Sequence, residues 1–368
     1  MLVKSLQIYQ FRNVSEINLS FSPELNFIVG RNGQGKTNLL EAIHLIGTGK
    51  SFRTKNFQDL IQWGKTEASV NCSISRQISK DDLRVIIKEK GREYWESGKK
   101  LSGLNDFIGK LVAVTFSPSD LELIKGGPLL RRSFLDRHIV DLKPHTLAVY
   151  LNYSRALRNK NILLKGQGYS LKEVEPWNQI LAENGAKIVG LRIDLIEKLY
   201  EKINQIHTFF GESDGEISLS LKSDLIKSKQ QLDVEELLAL LNSDFNKEKI
   251  FGHALHGPHR DDLILLLNNR DSRAFASQGQ IRSLVLSLKL TVITLLEEVL
   301  GESPVILLDD VDSELDLKRS DLFFELLLKQ KRQVFITGTN FNEERINISP
   351  KSQVFNVQAG QIEKNASF

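Results

Sequence analysis

The chain has 368 residues, of which 41% are hydrophobic and 26% charged. That balance gives a sizeable core with room for two domains, or one domain with a large insertion, and excludes wholesale disorder. The lone cysteine, Cys72, excludes an internal disulfide framework, and the net charge is only +3.

In chain order, "LVKSLQIYQFRNVSEINLSFSPELNFIVG" reads as short strands, with Ile17, Leu19 and Phe21 alternating and "LNFIV" running into glycine. A glycine-rich loop and the helix "NLLEAIHLIG" follow, and residues 66–95 predict further strands. From about 118 to 250 the pattern turns helical, and Pro176 suits the first turn of a helix over 176–210. The strand "DDLILLLNN" comes next. Then Ile281, Leu284, Val285, Leu288, Val292, Leu295, Leu296 and Val299 mark a long helix, followed by "PVILLDD", a helix near 318–330 and "RQVFITG". With no clean linker, the helical part reads as an insertion into one split domain: an N-terminal lobe over 1–117, an arm over 118–250 and a C-terminal lobe over 251–368. No apolar run reaches the roughly eighteen residues of a membrane span, and the N-terminus lacks a signal-like stretch, so a cytoplasmic protein is expected.

The strongest chemical signal is "GRNGQGKT": Gly30, Arg31, Asn32, Gly33, Gln34, Gly35, Lys36 and Thr37. It matches the phosphate-binding loop between a strand and a helix. Its glycines let backbone N–H groups turn toward phosphate, Lys36 reaches the β- and γ-phosphates of ATP, and the Thr37 hydroxyl ligates Mg²⁺. A second element is an acid at the end of an apolar strand. "VILLDD" supplies Asp309 to hold Mg²⁺ and Asp310 as general base for an attacking water.

A polar cluster, Ser277-Gln278-Gly279-Gln280, opens the long helix. Ser277 and Gln280 have the spacing of a capping box. The free N–H groups of a helix start and its dipole also suit a phosphate. Residues 125–165 carry nine Lys or Arg against Asp136 and Asp141, a local +7 that suits a polyanion or a solvated helix face. His253, His256 and His259, near Asp261 and Asp262, have spacing that raises a metal site, although "GPH" reads as a turn.

P-loop, polar helix cap and acid-ended strand stand in the order of ABC-type ATPases, and "VDSELD" resembles the D-loop. The stretches "LQIYQFRNV", "FSPSDLELIKGGPLLRRSFLD", "GPHRDDL" and "SQGQIRSLVLSLKL" resemble the RecF family of bacterial DNA replication and repair proteins, and the resemblance spans residues 6 to about 340. It implies an α/β, ABC-type P-loop ATPase head split by a compact helical insertion, with ATP and Mg²⁺ as cofactors. Ser277, Gln278, Gly279 and Gln280 would then serve nucleotide held by a second copy. Asp316 would lie at the dimer interface, and Arg12 and Asn13 where relatives touch nucleotide. The implied function is a weak ATPase whose ATP-dependent homodimer clamps gapped or junction DNA with little sequence preference, and which works with RecO and RecR to load RecA. Arg131, Arg132, Arg155, Arg158 and Lys160 are the candidate DNA-backbone contacts.

Three departures stand out. Arg31 replaces the family's usual Glu, "FSPSDLE" lacks a Mg²⁺-sensing Gln, and "FITGTN" offers Thr337 and Thr339 where transporters place a switch histidine. The last two suggest slow, switch-like hydrolysis. A transporter's nucleotide-binding subunit is the alternative, disfavoured by the helical insertion and missing histidine. A small-molecule phosphotransferase would leave the polar cap without a role.

Overall fold

A computed structural model describes residues 1–365 apart from 167–169, 211–214, 226–232, 311–316, 329 and 341–348. Contacts divide the chain into two compact units, Met1–Asp120 with Val292–Phe368, and Leu121–Thr291.

The first unit holds two sheets. Alternation in Leu2–Phe11 buries Val3, Leu6 and Ile8, and this strand pairs antiparallel with Val14–Ser20 on one side and Glu67–Ser75 on the other. Lys80–Lys88, Gly91–Glu96 and Lys99–Lys100 complete a six-stranded antiparallel sheet. In the second sheet the continuous apolar strands Leu25–Val29, Val334–Gly338 and Val305–Leu308 lie side by side and parallel, as both-face burial requires. Ala113–Phe116 extends this sheet in parallel at one side, and Ser352–Gln358 with its antiparallel partner Gln361–Lys364 extends it at the other. Helix Lys36–Thr48 packs against strands of both sheets, and eleven of its thirteen residues are buried. That burial fixes the loop before it at the carboxyl end of a central strand, the usual ligand end of such sheets.

In the second unit, helix Leu171–His207 packs on Leu147–Lys165, Val234–Ser243 and the strand Ile217–Lys222. Tyr153, Leu181, Ile188, Leu237 and Leu241 form part of its core. Asp262–Leu267 runs antiparallel between Ile217–Lys222 and Arg270–Asp271 in a three-stranded sheet.

Several sequence expectations are corrected. The second unit extends to Thr291, so residues 251–291 belong by contact with the helical segment and not with the C-terminal lobe. The reason is the pairing of Asp262–Leu267 with Ile217–Lys222, a strand in a stretch that reads as helical. Pro176 is not in the first turn. The helix begins five residues earlier, where Ser170 and Glu173 form a capping box, and Pro176 sits at its sixth position, removing one intrahelical N–H. On helix Gln278–Leu300 the predicted apolar residues from Ile281 to Leu296 are buried, but Val299, next to its last residue, is 56% exposed.

Candidate nucleotide-binding site

Strand Leu25–Val29 delivers the chain to Gly30, where a Cβ would lie 2.5 Å from the Val357 carbonyl oxygen, so the neighbouring strand admits only glycine. At the far end Gly35 has φ +112°, and a Cβ there would meet Asn13 Oδ1 at 2.7 Å. Asn13 is a brace. Its Nδ2 donates to the Gln34 carbonyl at 3.2 Å, and its Oδ1 accepts from Asn38 Nδ2 at 2.6 Å. A second brace is the turn between the last two strands, where Gly360 N–H donates to the Gln34 carbonyl at 3.0 Å and Ala359 N–H to Gln34 Oε1 at 2.5 Å. The side chains of Asn13 and Gln34 are thus engaged in shaping the loop.

Inside the loop, Lys36 Nζ donates to the carbonyls of Gly30 at 2.6 Å and Arg31 at 3.2 Å, and reaches Asn32 Oδ1 at 3.4 Å. The ammonium is therefore folded back over the loop's centre, where it presents positive charge to an anion. Arg31, Asn32 and Gly33 are exposed at the loop's rim.

The next residue links the loop to the acid-ended strand. Thr37 Oγ1 donates to Asp309 Oδ1 at 2.8 Å, and Thr337 Oγ1 donates to the same oxygen at 2.9 Å. Burial pushes the Asp309 carboxyl above its usual range, an effect the two hydroxyls only partly offset. Asp310 follows with φ +51°, a left-handed conformation unusual outside glycine, and its N–H donates to Thr337 Oγ1 at 2.9 Å. Thr337 lies within strand Val334–Gly338 and is 1% exposed, so one hydroxyl fixes both acids. In the sequence Thr337 stands only as the substitute for a histidine; its bridging role arises from the parallel pairing of Val305–Leu308 with Val334–Gly338.

Arg12 lies in the wall of the same cleft and is also tied into the fold. Its Nε and Nη2 hold the fully buried Glu41 carboxylate at 2.9 and 2.7 Å, and Nη1 donates to the Asp59 carbonyl at 2.8 Å. It borders the cleft as a tie between the first β-turn and helix Lys36–Thr48. Arg53, not singled out in the sequence, also borders it and donates to Asn38 Oδ1 at 2.8 Å. The cleft measures about 720 Å³ and includes Asn13, Lys36, Thr37, Asp309 and Asp310 in its wall.

In the second unit, Ser277 N–H donates to Gln280 Oε1 at 2.9 Å and Gln280 N–H to Ser277 Oγ at 3.2 Å, a reciprocal capping box. The cap leaves Gln278 and Gly279 as first-turn residues whose N–H groups lack intrahelical acceptors. Ser277 and Gln278 are exposed, as is Phe275 at 69% just before them. Asp316 lies outside the described residues.

The family model described as the RecF/RecN/SMC N terminal domain matches residues 2–362. The DNA replication and repair protein RecF of Alkaliphilus oremlandii is 36% identical over 368 residues, 99% of this chain and 100% of that protein. The chain belongs to the RecF family. The RecF of Streptococcus uberis is 34% identical over 98% of this chain and 99% of its own length. Among solved structures, the recombination mediator protein RecF-ATP of the RecFOR pathway is similar at TM-score 0.90 and 33% identity, covering 99% of this chain and 97% of that one. An SMC head bound to the C-winged helix domain of ScpA shares the fold alone, at TM-score 0.54 and 16% identity. The architecture is thus an ABC-type P-loop ATPase head split by a helical insertion.

The basic segment is less open to a polyanion than its charge suggests. Arg131 is 1% exposed; Nε and Nη2 hold Asp262 at 2.6 and 3.0 Å, and Nη1 donates to the Gly126 carbonyl at 2.7 Å. Lys160 is fully buried against the equally buried Glu248 at 2.6 Å. These two are corrected from DNA contacts to internal ion pairs, since a group already desolvated and paired cannot reach a phosphate. Arg132 is half-buried and donates to the Asp261 carbonyl at 2.6 Å. Arg137 and Lys143 hold Asp141 and Asp194. Arg155 and Arg158, by contrast, are exposed and form no ion pair among the described residues.

The motif "GPHRDDL" has a structural task. Asp262 receives Arg131, and Asp261 receives Arg192 at 2.8 Å while Arg192 also clasps Asp136. The three histidines serve separate partners. His256 bonds Asp224 and Asp244, His259 bonds Tyr153 Oη and the Ala254 carbonyl, and His253 bonds the Phe251 carbonyl. Among the described residues no cluster of His, Cys, Asp and Glu is arranged to hold a metal, and no helix is long and apolar enough to cross a membrane.

Proposed function

We propose that this protein is an ATP-switched DNA-binding protein of recombinational repair. The observation that carries the reading is the 2.8 Å link between Thr37 and Asp309, which brings P-loop and acid-ended strand into one cleft with Lys36. Phosphate oxygens of ATP are held by the loop's N–H groups and Lys36. The Thr37 hydroxyl and Asp309 carboxylate are hard oxygen donors of the kind that suits Mg²⁺, which when bound neutralises charge on the β- and γ-phosphates. Asp310, set at the strand end by its bond to Thr337, is the general base toward water, and a threonine in place of a histidine goes with weak hydrolysis.

The cap at Ser277, Gln278, Gly279 and Gln280 binds the γ-phosphate of ATP held by a second copy, with Asp316 at the interface, so that ATP closes a homodimer with two shared sites. Residues of the helical segment form a short arm, and the closed dimer clamps gapped or junction DNA through its backbone. Support for this comes from the relatives named above, RecF proteins of DNA replication and repair, one of them described with ATP in the RecFOR pathway. RecO and RecR are the partners implied, with RecA loading as the outcome. A transporter subunit finds no counterpart among these relatives.

Lys36→Met tests the reading. It is expected to abolish ATP-dependent retention of gapped DNA while leaving the protein folded. Undiminished retention would refute the P-loop assignment.

A further inference from the structure

Trp63 is 99% exposed, although tryptophan is among the most costly side chains to leave in water. It also belongs to the wall of the cleft that contains Lys36, Thr37 and Asp309. The backbone beneath it is firmly held. Lys65 N–H donates to the Gln62 carbonyl at 3.0 Å and Gly64 has φ +77°, so Trp63 is the second residue of a tight turn.

That turn is stapled to the corner between the first two strands. Gln62 N–H donates to the Gln10 carbonyl at 2.8 Å, Arg12 N–H to the Leu60 carbonyl at 2.8 Å, and Phe11 bridges Ile61. The same corner presents Asn13 to Gly35 of the phosphate loop. Phosphate loop and tryptophan turn therefore share one rigid support, and the indole stands uncovered on it.

The polar side chains of Asn56 and Asp59 on this wall are already engaged. Asn56 Nδ2 donates to Asp59 Oδ1 at 2.8 Å, and Thr54 Oγ1 to Asp59 Oδ2 at 2.6 Å. That wall therefore favours a flat apolar contact over readout of a base edge. A cleft of about 720 Å³ lies within the size range of small-molecule sites.

We propose that Trp63 is the stacking platform for the purine base of the nucleotide whose phosphates the 30–37 loop holds. The inference rests on the nucleotide reading of the cleft and adds to it a base-binding residue outside every motif of the sequence. Stacking uses the π-face that every base has, so ATP and GTP both gain from it.

The test measures binding of Mg-ATP, Mg-GTP and Mg-tripolyphosphate to the full chain and to Trp63→Ala and Trp63→Phe. Trp63→Ala is expected to weaken both nucleotides about ten-fold and leave tripolyphosphate unchanged, with Trp63→Phe restoring most of the loss. Mg-ATP is also expected to shield the wild-type emission from acrylamide, because Trp95 and Trp177 are half-buried and Trp63 is the open indole. Wild-type nucleotide affinity in Trp63→Ala overturns the proposal, as does equal weakening of ATP and tripolyphosphate, which would mark a structural role. If the wild-type chain bound neither ATP nor tripolyphosphate, the nucleotide reading itself would fall, and this inference with it.

Discussion

The Thr37 hydroxyl donates to the Asp309 carboxylate across 2.8 Å, joining residues 272 positions apart. With Thr337 on the same oxygen, the carboxylate is held by hydroxyls and not by an ion pair among the described residues. Burial then disfavours its charged form and keeps its pKa above the ordinary carboxylate range.

A stability prediction follows from the sign of that shift. A native pKa raised above the unfolded value means that the native state binds the proton more tightly, so stability is lost as pH rises through the native pKa. Asp309→Asn, which keeps an acceptor for both hydroxyls, is expected to melt above the wild type at pH 8 without nucleotide. The gap should narrow as pH falls toward the ordinary aspartate value of about 3.9. Thermal scans across pH would show it, and a variant melting lower at pH 8 would contradict it.

Thr337→Val removes the donor to Asp309 and the acceptor for the Asp310 N–H at nearly constant volume. Losing that part-buried hydrogen bond should cost about 1 kcal/mol of stability. Because Asp310 loses its anchor, hydrolysis should fall more than ATP affinity; equilibrium binding and single-turnover rates on the same preparation separate the two.

The basic segment divides by burial. Replacing Arg155 and Arg158 together by Ala is expected to flatten the dependence of log affinity for DNA on log salt by up to about two units. Lys160→Ala strands the buried Glu248 and should destabilise the fold by about 3–5 kcal/mol while leaving the slope of the folded fraction unchanged. Equal slopes for the wild type and the Arg155/Arg158 variant would move the DNA surface elsewhere.

His259 gives an acid-side prediction. Burial pulls its pKa down to about 4, and its ring accepts from Tyr153 Oη while donating to a carbonyl, which fits the neutral form. For a histidine depressed on folding, stability is present above the unfolded value of about 6.5 and is lost as pH falls toward 4, by at most about 3 kcal/mol. His259→Gln should show a shallower loss of stability over that window. An unchanged slope in denaturant titrations would assign the acid sensitivity to other groups.

What the sequence made legible were features set by local patterning. Strand, loop and helix around 25–48 are legible because the apolar run, the glycines and Lys36-Thr37 are contiguous. The capping box at Ser277 and Gln280 is legible because its spacing is three. Long-range pairings stayed hidden. Nothing near Arg131 announces Asp262, and nothing near Lys160 announces Glu248, so a count of charges overstated the exposed basic surface. The strand Ile217–Lys222 that draws 262–267 into the second unit acts through backbone pairing that leaves little mark on residue type, and the turn at Ala359–Gly360 that braces Gln34 lies 325 positions from it.

The central claim is that ATP joins two copies through shared sites. The most direct measurement is the light-scattering mass of Asp310→Asn protein with Mg-ATP and with Mg-ADP, each with and without gapped DNA. The account predicts twice the 41.7 kDa chain mass with Mg-ATP and the monomer mass with Mg-ADP. A monomer with both nucleotides, DNA present or absent, would contradict it and leave the cluster at Ser277 as a helix cap alone.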